Sequence, residues 1–270
     1  MFQRTIANSF RLSGIGIHTG AQTQITVHPA EADAGRTFRI GATRFAARAE
    51  NVLDTSRCTT LGAEGVKVST VEHLLSALCG LCIDNVLIEV EGPEIPIFDG
   101  SALPFVEAIQ SAGVVTQQKA PRTITIAEPR EVSEGESHLS AAPGRGFSLE
   151  VSTSFKEWPE GHAVCTTSIG EDYQDDYVRN IAPARTFAFR REVEMLLAAG
   201  LAKGGSLDNA LIITPPDGFS TTLRVPQEWC AHKALDVIGD LALLDARLVG
   251  KVTAARPGHK INARFAQALL

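Results

Sequence analysis

Apolar residues in the first half of the chain follow a helical spacing, then a strand-like run, then a helical spacing again. The first helix is predicted from four side chains spaced at i, i+3, i+4 and i+7: Val71, Leu74, Leu75 and Leu78. A strand is predicted at residues 85–90 (NVLIEV), where β-branched and aliphatic side chains are frequent. A second helix is predicted from Ser101 to Gly113.

The second half repeats this order of elements. Pro226 suits a helix start, and apolar side chains follow it at helical spacing: Leu235, Ile238 and Leu241. A strand is predicted at residues 248–252 (LVGKV), and a last helix at residues 262–270. Between the halves, residues 117–121 (QQKAP) are polar and end in proline, which is typical of a linker.

This repetition predicts an α+β fold of two similar domains, residues 1–118 and 119–270. Strand-like runs precede the helices in both halves: residues 23–27, 123–126 and 147–151. Each domain is expected to pack a helix pair on a mostly antiparallel sheet, and the two helical layers are expected to pack against each other. That packing would bring His73 and His232 into one cleft.

Composition and charge narrow the class of protein. Of the 270 residues, 44% are hydrophobic and 21% are charged, as in a soluble globular protein. The formal net charge of -6 argues against a nucleic-acid partner, which usually requires a basic surface. No segment reaches the roughly 20 apolar residues of a membrane span, and no signal peptide is recognised. We therefore expect a cytoplasmic monomer that acts on a small molecule and keeps its five cysteines as free thiols.

The strongest local pattern of chemically active residues lies on the predicted helix after Pro226. His232, Asp236 and Asp240 are spaced at i, i+4 and i+8, so they lie on one stripe of a helix. An imidazole and a carboxylate one turn apart can bind one metal ion. The same spacing also fits the solvated polar face of an amphipathic helix. The pattern alone leaves both interpretations open.

Other histidines also have a functional and a structural interpretation. Glu72 and His73 could be a general base and a metal ligand, or Ser69 and Glu72 could form a capping box at the helix start. His259 follows a Pro-Gly pair and is expected in a turn, where a histidine is either merely exposed or placed for catalysis. The glycines around His18 do not form a dinucleotide-binding loop.

Taken together, these segments resemble the UDP-3-O-acyl-N-acetylglucosamine deacetylase family of Gram-negative bacteria. The matching segments occur in order over nearly the whole chain: Gly14–Gly20 (GIGIHTG), Ser69–Leu74 (STVEHL), Gly80–Asn85 (GLCIDN), Pro93–Ser101 (PEIPIFDGS), Ala184–Phe187 (ARTF), Gly204–Ser206 (GGS), His232–Asp240 (HKALDVIGD) and Gly258–His259. One motif would be weak, but this ordered set is very specific. The segment 155–162 (FKEWPEGH) departs from the Phe-x-His-Pro-like pattern of the family, which leaves the acyl-chain length open.

The resemblance implies roles for residues in both halves. It implies three ligands of a zinc ion, with ferrous iron as the alternative: His73, His232 and Asp236. It implies four catalytic residues: Glu72 as general base, His259 as general acid, Asp240 as the partner of that histidine, and Thr186 as the oxyanion-stabilising hydroxyl. A further set is assigned to substrate binding: His18, Phe187, Phe189, Lys233 and Arg256. A plain core position fits the two phenylalanines equally well.

The implied activity is zinc-dependent hydrolysis of the acetamide of UDP-3-O-acyl-N-acetylglucosamine. The products would be UDP-3-O-acyl-glucosamine and acetate. This reaction would be an early committed step of lipid A biosynthesis. One alternative is a zinc amidohydrolase that acts on another N-acetyl sugar nucleotide, which a comparison of acylated and non-acylated substrates would distinguish. The other is a catalytically inactive relative that only binds the sugar nucleotide. Such a relative would be expected to lose Glu72, His259 or a ligand, and all of these are present.

Overall fold

The computed structural model describes residues 1–270. The chain contains six α-helices: α1 (Glu72–Gly80), α2 (Leu103–Ala112), α3 (Gln174–Asn180), α4 (Arg190–Ala198), α5 (Glu228–Leu241) and α6 (His259–Ala268). Three short 3-10 helices accompany them: Ala49–Asn51, Glu171–Tyr173 and Ala242–Leu244. None of the six α-helices is long and apolar enough to cross a membrane.

Nineteen strands complete the fold. Ten lie in the first half: β1 (Gln3–Ile6), β2 (Phe10–Ile15), β3 (Gln22–Pro29), β4 (Arg36–Ile40), β5 (Thr43–Ala46), β6 (Val52–Asp54), β7 (Thr60–Ala63), β8 (Val66–Val68), β9 (Val86–Glu91) and β10 (Val114–Gln117). Nine lie in the second half: β11 (Thr123–Thr125), β12 (Arg130–Glu134), β13 (Ser137–Ala142), β14 (Phe147–Phe155), β15 (Trp158–Ile169), β16 (Phe187–Phe189), β17 (Leu211–Thr214), β18 (Gly218–Phe219) and β19 (Arg247–Ala255).

The two large sheets are built on the same plan. The first has the strand order β2-β3-β9-β4-β5, and the second has the order β12-β13-β19-β14-β15, with β11 beside β19. Along both five-strand paths every pair is antiparallel except one central pair, β4 with β9 and β14 with β19. The central strands β9 and β19 each follow one helix and precede another, α1 and α2 or α5 and α6. The predicted α+β fold with mostly antiparallel sheets is confirmed.

The predicted domain boundary at residue 118 falls between β10 and β11. Every strand ladder lies within one half: β1 pairs with β10, the small sheet β6-β7-β8 belongs to the first half, and the small sheet β16-β17-β18 belongs to the second. The division into domains 1–118 and 119–270 stays a prediction, which this separation of ladders supports.

The two helical layers meet where α1 packs against α5. Apolar side chains on both helices are fully buried at this contact region, including Leu74 and Leu75 of α1 and Leu235 and Ile238 of α5. These are the positions that the 3.6-residue periodicity selects. The packing therefore joins the core of the first sheet to the core of the second, and the buried apolar residues of both halves form one continuous cluster.

The start of α1 differs from the prediction. The helix begins at Glu72, with Val71 at its N-cap and no side-chain cap. Thr70 has a positive φ of 59°, so the chain turns sharply between Ser69 and the helix. Of the two interpretations of this segment, the capping box of Ser69 and Glu72 is therefore excluded, and the Glu72 carboxylate is available for other contacts.

The start of α6 also differs from the prediction. The helix begins at His259 rather than at residue 262, and Gly258 is its N-cap in an extended conformation. The Pro-Gly pair therefore lies at the boundary between a loop and a helix. The exact residue of such a boundary is difficult to predict from sequence patterns. His259 lies on the first turn of α6 rather than in an isolated turn.

All five cysteines are free thiols, as predicted.

Candidate active site

Two helices from different halves bring the three predicted metal ligands together. His73 lies on the first turn of α1, and His232 and Asp236 lie one turn apart on α5. Their potential ligand atoms all lie within 4.8 Å of one another, and the two imidazole rings have centroids 5.2 Å apart. His232 Nε2 lies 3.4 Å from Asp236 Oδ1. The three side chains are buried and converge on one point.

A hydrogen bond from Nδ1 orients the imidazole ring of His232. Its Nδ1 lies 3.0 Å from the carbonyl oxygen of Ala184, which can only accept a hydrogen bond. Nδ1 therefore carries the proton, and the lone pair remains on Nε2, the atom next to Asp236. A backbone carbonyl that fixes the tautomer in this way is a common feature of metal-binding histidines.

Two buried atoms of this group have no hydrogen-bond partner, Nδ1 of His73 and Oδ1 of Asp236. A buried polar atom left unsatisfied costs about 1–3 kcal/mol, so the pairing of both atoms with a ligand would be favourable. Two neutral imidazoles and one carboxylate hold a divalent ion and leave a coordination position open. The residues present therefore fit a metal ion.

The protonation states of these side chains match those of metal ligands. Burial and the neighbouring His232 ring lower the pKa of His73 to about 3. Burial also lowers the pKa of His232, although the Asp236 carboxylate opposes this effect. Burial disfavours ionisation of Asp236, but Lys233 and His232 outweigh it and hold the pKa of that carboxyl well below its usual range. At neutral pH the imidazoles are neutral and the carboxylate is ionised, which is the form that binds a metal.

Glu72, His259 and Asp240 form a row beside the three predicted metal ligands. His259 Nδ1 lies 3.0 Å from Asp240 Oδ2, and His259 Nε2 lies 3.9 Å from Glu72 Oε1. Glu72 directly precedes His73 on α1, and Asp240 lies one turn after Asp236 on α5. Since His259 starts α6, the row joins three helices.

The carboxylates on either side of His259 stabilise its charged form. Burial lowers the pKa of His259, but Asp240 and Glu72 outweigh burial and raise it to about 9. Burial raises the pKa of Glu72 to about 8 against the opposing charge of His259. A divalent cation held by the adjacent His73 would lower the pKa of Glu72, because a nearby positive charge favours the carboxylate. The row can then hold a charged imidazole and an ionised carboxylate together.

The three predicted metal ligands open into a cavity of about 800 Å³, the size of a small-molecule site. Its lining contains most residues that are predicted from the sequence to act in catalysis or substrate binding: His18, Glu72, Thr186, Phe187, Lys233, Arg256 and His259. Two assigned residues lie elsewhere. Asp240 is fully buried next to His259. Phe189 is buried against Phe155 and Trp158, with ring centroids 5.1 and 6.4 Å away.

Both cations assigned to substrate binding already contact acceptors within the protein. Lys233 Nζ donates to Asp236 Oδ2 at 3.0 Å and lies 5.6 Å from the centroid of the Phe187 ring. Arg256 donates to Ser154 Oγ at 3.0 Å and forms an ion pair with Glu136. These contacts hold the two charged groups at the lining of the cavity.

Another part of the lining is apolar. It comes from α4, the segment after it and β17: Val193, Leu196, Leu197, Leu207 and Ile212. Helix α4 contains no buried residue, so its apolar side chains are not used to fill a core. A cavity with a polar end and an apolar wall suits a ligand that has both characters.

Several residues that hold the site were not found from the sequence. Thr59 and Asn262 donate hydrogen bonds to Asp240, from positions 181 and 22 residues away in the chain. Glu94 accepts a hydrogen bond from the backbone nitrogen of His18 at 3.0 Å. The only sequence signal for any of them is that Glu94 is a charged residue between apolar neighbours, because such a carboxylate must be satisfied when buried.

The fold and the site define a class of protein. Three side chains that fit a metal ion lie beside a carboxylate and a charged histidine, and all five border one cavity with polar and apolar walls. Metal-dependent hydrolases use this arrangement, an open ligand set with an acid–base pair next to it.

Comparison with known proteins identifies the family. The family model described as LpxC: UDP-3-O-acyl N-acetylglycosamine deacetylase matches residues 3–270. A protein of Saccharophagus degradans named UDP-3-O-acyl-N-acetylglucosamine deacetylase is 43% identical over 268 residues, which cover 96% of this chain and 87% of that protein. Proteins with the same name from Myxococcus xanthus and Anaeromyxobacter sp. are 41% and 42% identical; each match covers 99% of this chain, and 86% and 88% of those proteins. The chain belongs to the UDP-3-O-acyl-N-acetylglucosamine deacetylase family, which confirms the resemblance seen in the sequence.

Proposed function

We propose that this protein is a metal-dependent deacetylase that hydrolyses the acetamide of UDP-3-O-acyl-N-acetylglucosamine. The products are UDP-3-O-acyl-glucosamine and acetate. This reaction is an early committed step of lipid A biosynthesis. One observation carries the proposal: in a chain of this family, the His73, His232 and Asp236 side chains converge beside the pair Glu72 and His259.

The proposed ion is zinc, held by His73, His232 and Asp236, and ferrous iron suits the same ligands. When bound, the ion supplies Lewis acidity toward the acetyl carbonyl and the attacking water. The fixed tautomer of His232 and the unpartnered atoms of the other two side chains support this ligand set.

Glu72 is the proposed general base. Its Oε2 accepts a hydrogen bond from the backbone nitrogen of Thr59 at 3.0 Å, which limits rotation of the carboxylate. Its Oε1 lies 3.9 Å from His259 Nε2 and borders the cavity next to His73. From this position Glu72 can take a proton from a water molecule as that water attacks the acetyl carbon.

His259 is the proposed general acid, and Asp240 is its partner. The contact of His259 Nδ1 with Asp240 keeps the imidazole charged and leaves the Nε2 proton directed away from Asp240. Cleavage of the C–N bond leaves an amine that needs a proton, and His259 Nε2 can deliver it. Deacetylation therefore uses two different groups for its two proton transfers.

Thr186 is the proposed donor to the oxyanion that forms during attack. Its backbone is fixed on both sides, because its nitrogen donates to Gly100 at 2.7 Å and its carbonyl accepts from Leu211 at 2.9 Å. The side chain is thus held at the cavity lining. A preorganised donor of this kind contributes more than a mobile one, since it need not reorient during the reaction.

The cavity lining supports an acylated sugar nucleotide as substrate. Lys233, Arg256 and His18 are proposed to contact the sugar and the diphosphate, since they supply donors at the polar end. Phe187 and the apolar wall with Leu196 are proposed to contact the acyl chain. Phe189 would contribute to acyl binding by packing behind that wall rather than by touching the ligand.

The test is an acetate-release assay with purified protein on the acylated substrate and on UDP-N-acetylglucosamine. We expect turnover of the acylated form, loss of turnover on chelation, and recovery on addition of Zn²⁺ or Fe²⁺ in stoichiometric amount. Equal turnover of both substrates would instead support an amidohydrolase of another sugar nucleotide. Binding of the sugar nucleotide without acetate release, at full metal occupancy, would identify an inactive binding protein.

A further inference from the structure

Thr59 contacts both carboxylates of the proposed acid–base system. Its backbone nitrogen donates to Glu72 Oε2 at 3.0 Å, and its hydroxyl donates to Asp240 Oδ1 at 2.5 Å. The second distance is in the range of a charge-assisted O–H···O⁻ hydrogen bond, which is about twice as strong as a neutral one. Thr59 is completely buried, so water does not compete for either contact.

The local chain holds Thr59 rigidly in this place. Arg57 has a positive φ of 70°, which turns the chain just before β7 begins at Thr60. The Thr59 carbonyl accepts a hydrogen bond from the backbone nitrogen of Val71 at 3.3 Å, at the N-cap of α1. Both backbone polar groups of Thr59 are therefore bonded at the start of α1, where Glu72 lies.

The hydroxyl of Thr59 extends this fixed point to the other half of the protein. Asp240 lies on α5, and its two oxygens have different partners: Oδ1 accepts from Thr59, whereas Oδ2 accepts from Asn262 at 2.9 Å and contacts His259 at 3.0 Å. The Thr59 bond therefore sets the rotation of the carboxylate that faces His259. One residue joins the proposed base of the first half to the partner of the proposed acid in the second.

We propose that Thr59 is a positioning residue for deacetylation, which holds Glu72 through its backbone and Asp240 through its hydroxyl, an inference that rests on the proposed function. Without the hydroxyl, Asp240 Oδ1 loses a hydrogen bond in a buried site, and only the contacts of Oδ2 with Asn262 and His259 still limit rotation of the carboxylate. A small misplacement of a catalytic group can cost about a hundredfold in rate. The backbone bond to Glu72 would remain, so the loss is expected in the step that needs His259.

The experiment compares Thr59→Val, which keeps the shape and the backbone bond, with Thr59→Ser, which keeps the hydroxyl. We expect Thr59→Val to lower kcat by about 10- to 100-fold with unchanged KM and metal content. Thr59→Ser should recover most of kcat. The matched control is Thr60→Val, because the next residue is also buried but its hydroxyl donates to Ser69 instead of a carboxylate. Thr60→Val should leave kcat within about twofold.

A double variant with Asp240→Ala distinguishes a positioning role of Thr59 from a general effect of the substitution on folding. In an Asp240→Ala background, Thr59→Val should lower kcat by less than about twofold, because its target is already gone. The proposal is overturned if Thr59→Val keeps wild-type kcat, if its effect is unchanged in the Asp240→Ala background, or if Thr59→Ser is as impaired as Thr59→Val. Should Thr59→Val not fold, Thr59→Ser and Thr59→Ala at low temperature make the same comparison. A wild-type protein without deacetylase activity would contradict the proposed function itself, which is a different result.

Discussion

Gly239 of α5 lies against the backbone carbonyl of Glu72, and a Cβ at Gly239 would lie 2.1 Å from that oxygen. The two helices that carry the proposed metal ligands thus meet at a point with no room for a side chain. Because backbone atoms cannot yield as a flexible side chain does, a larger residue at position 239 must push the helices apart. His73 and His232, whose ring centroids are 5.2 Å apart, would separate with them.

Gly239→Ala should therefore damage both stability and the metal site. We expect a loss of about 1–3 kcal/mol in the free energy of unfolding, as for other overpacked cores, and a fall of about a hundredfold in kcat. Denaturant unfolding, metal analysis and the acetate-release assay measure these effects. Gly170→Ala is the control, since its Cβ would meet only Tyr173 at an ordinary 3.5 Å. Wild-type metal content and activity in Gly239→Ala would show that the helix contact does not set the site.

Each of the three proposed metal ligands should be required for metal binding and for activity. His73→Ala, His232→Ala and Asp236→Ala are expected to lose bound metal and to lower kcat/KM by more than the 10- to 100-fold typical of residues that only orient ligands. Metal analysis after gel filtration, with activity on the same sample, checks this. His138→Ala is the control, because its ring contacts Ser133 outside the cavity. Full metal occupancy in any of the three variants would remove that residue from the ligand set.

The general fold could be predicted because its signals are local and repeated. The periodicity of Leu74, Leu75 and Leu78 selects the buried face of α1, and the same order of elements occurs again around α5. Helix starts could not be predicted as well. The positive φ of Thr70 and the extended Gly258 decide where α1 and α6 begin, and neither conformation has a signature in the surrounding sequence.

The residues of the site also fall into those that could be predicted from the sequence and those that could not. His232, Asp236 and Asp240 could be predicted as one group because a helix places residues at i, i+4 and i+8 on one stripe. Thr59 could not, since a threonine in a loop has no pattern that points to a carboxylate 181 residues away. Contacts of this kind depend on how α1 packs against α5, and that packing is determined by the whole core rather than by neighbouring residues.

Substitutions of the proposed base Glu72 and the proposed acid His259 should lower the rate without changing the metal content. We expect Glu72→Gln and His259→Ala to keep their metal and to lower kcat by about 10²- to 10⁴-fold each, the range of general acid–base catalysis. The double variant should lose less than the product of the two, because both groups act in one reaction sequence. Loss of metal from Glu72→Gln would make Glu72 a ligand or a structural residue. A wild-type rate in His259→Ala would exclude it as the acid.

The apolar wall of the cavity should discriminate between acylated and non-acylated substrate. Leu196 on α4 lines the cavity, whereas its neighbour Met195 is 61% exposed and does not. Leu196→Gln should raise KM for the acylated substrate by about tenfold, since it removes apolar contact area. KM for UDP-N-acetylglucosamine should not change. Met195→Gln is the control and should leave both values unchanged, and an equal effect of the two variants would place the acyl chain elsewhere.

The buried ion pair of Arg185 and Glu228 should make the stability of the protein depend on pH. Arg185, which precedes Thr186, donates to Glu228 from Nε at 2.7 Å and from Nη2 at 3.0 Å, and Arg224 adds a backbone bond at 2.8 Å. Burial disfavours the charged form of Glu228, but these hydrogen bonds outweigh it and lower its pKa from the ordinary 4.5. The pair therefore contributes stability above the unfolded-state pKa, and the contribution is lost as pH falls below about 4.5.

Glu228→Gln should lower the free energy of unfolding at pH 7 by about 3–5 kcal/mol, because it leaves the Arg185 charge buried without its partner. The difference from wild type should shrink as pH falls from about 4.5 toward the lowered pKa of Glu228, because the unfolded wild-type chain then binds a proton that the folded ion pair does not. Urea unfolding at pH 7, 5 and 3.5 follows both effects. Glu157→Gln is the control: Glu157 also pairs with an arginine, Arg191, but both side chains are about half exposed, so its free energy of unfolding should not change. A Glu228→Gln deficit that stays constant from pH 7 to 3.5 would mean that the deficit does not come from the charge of Glu228.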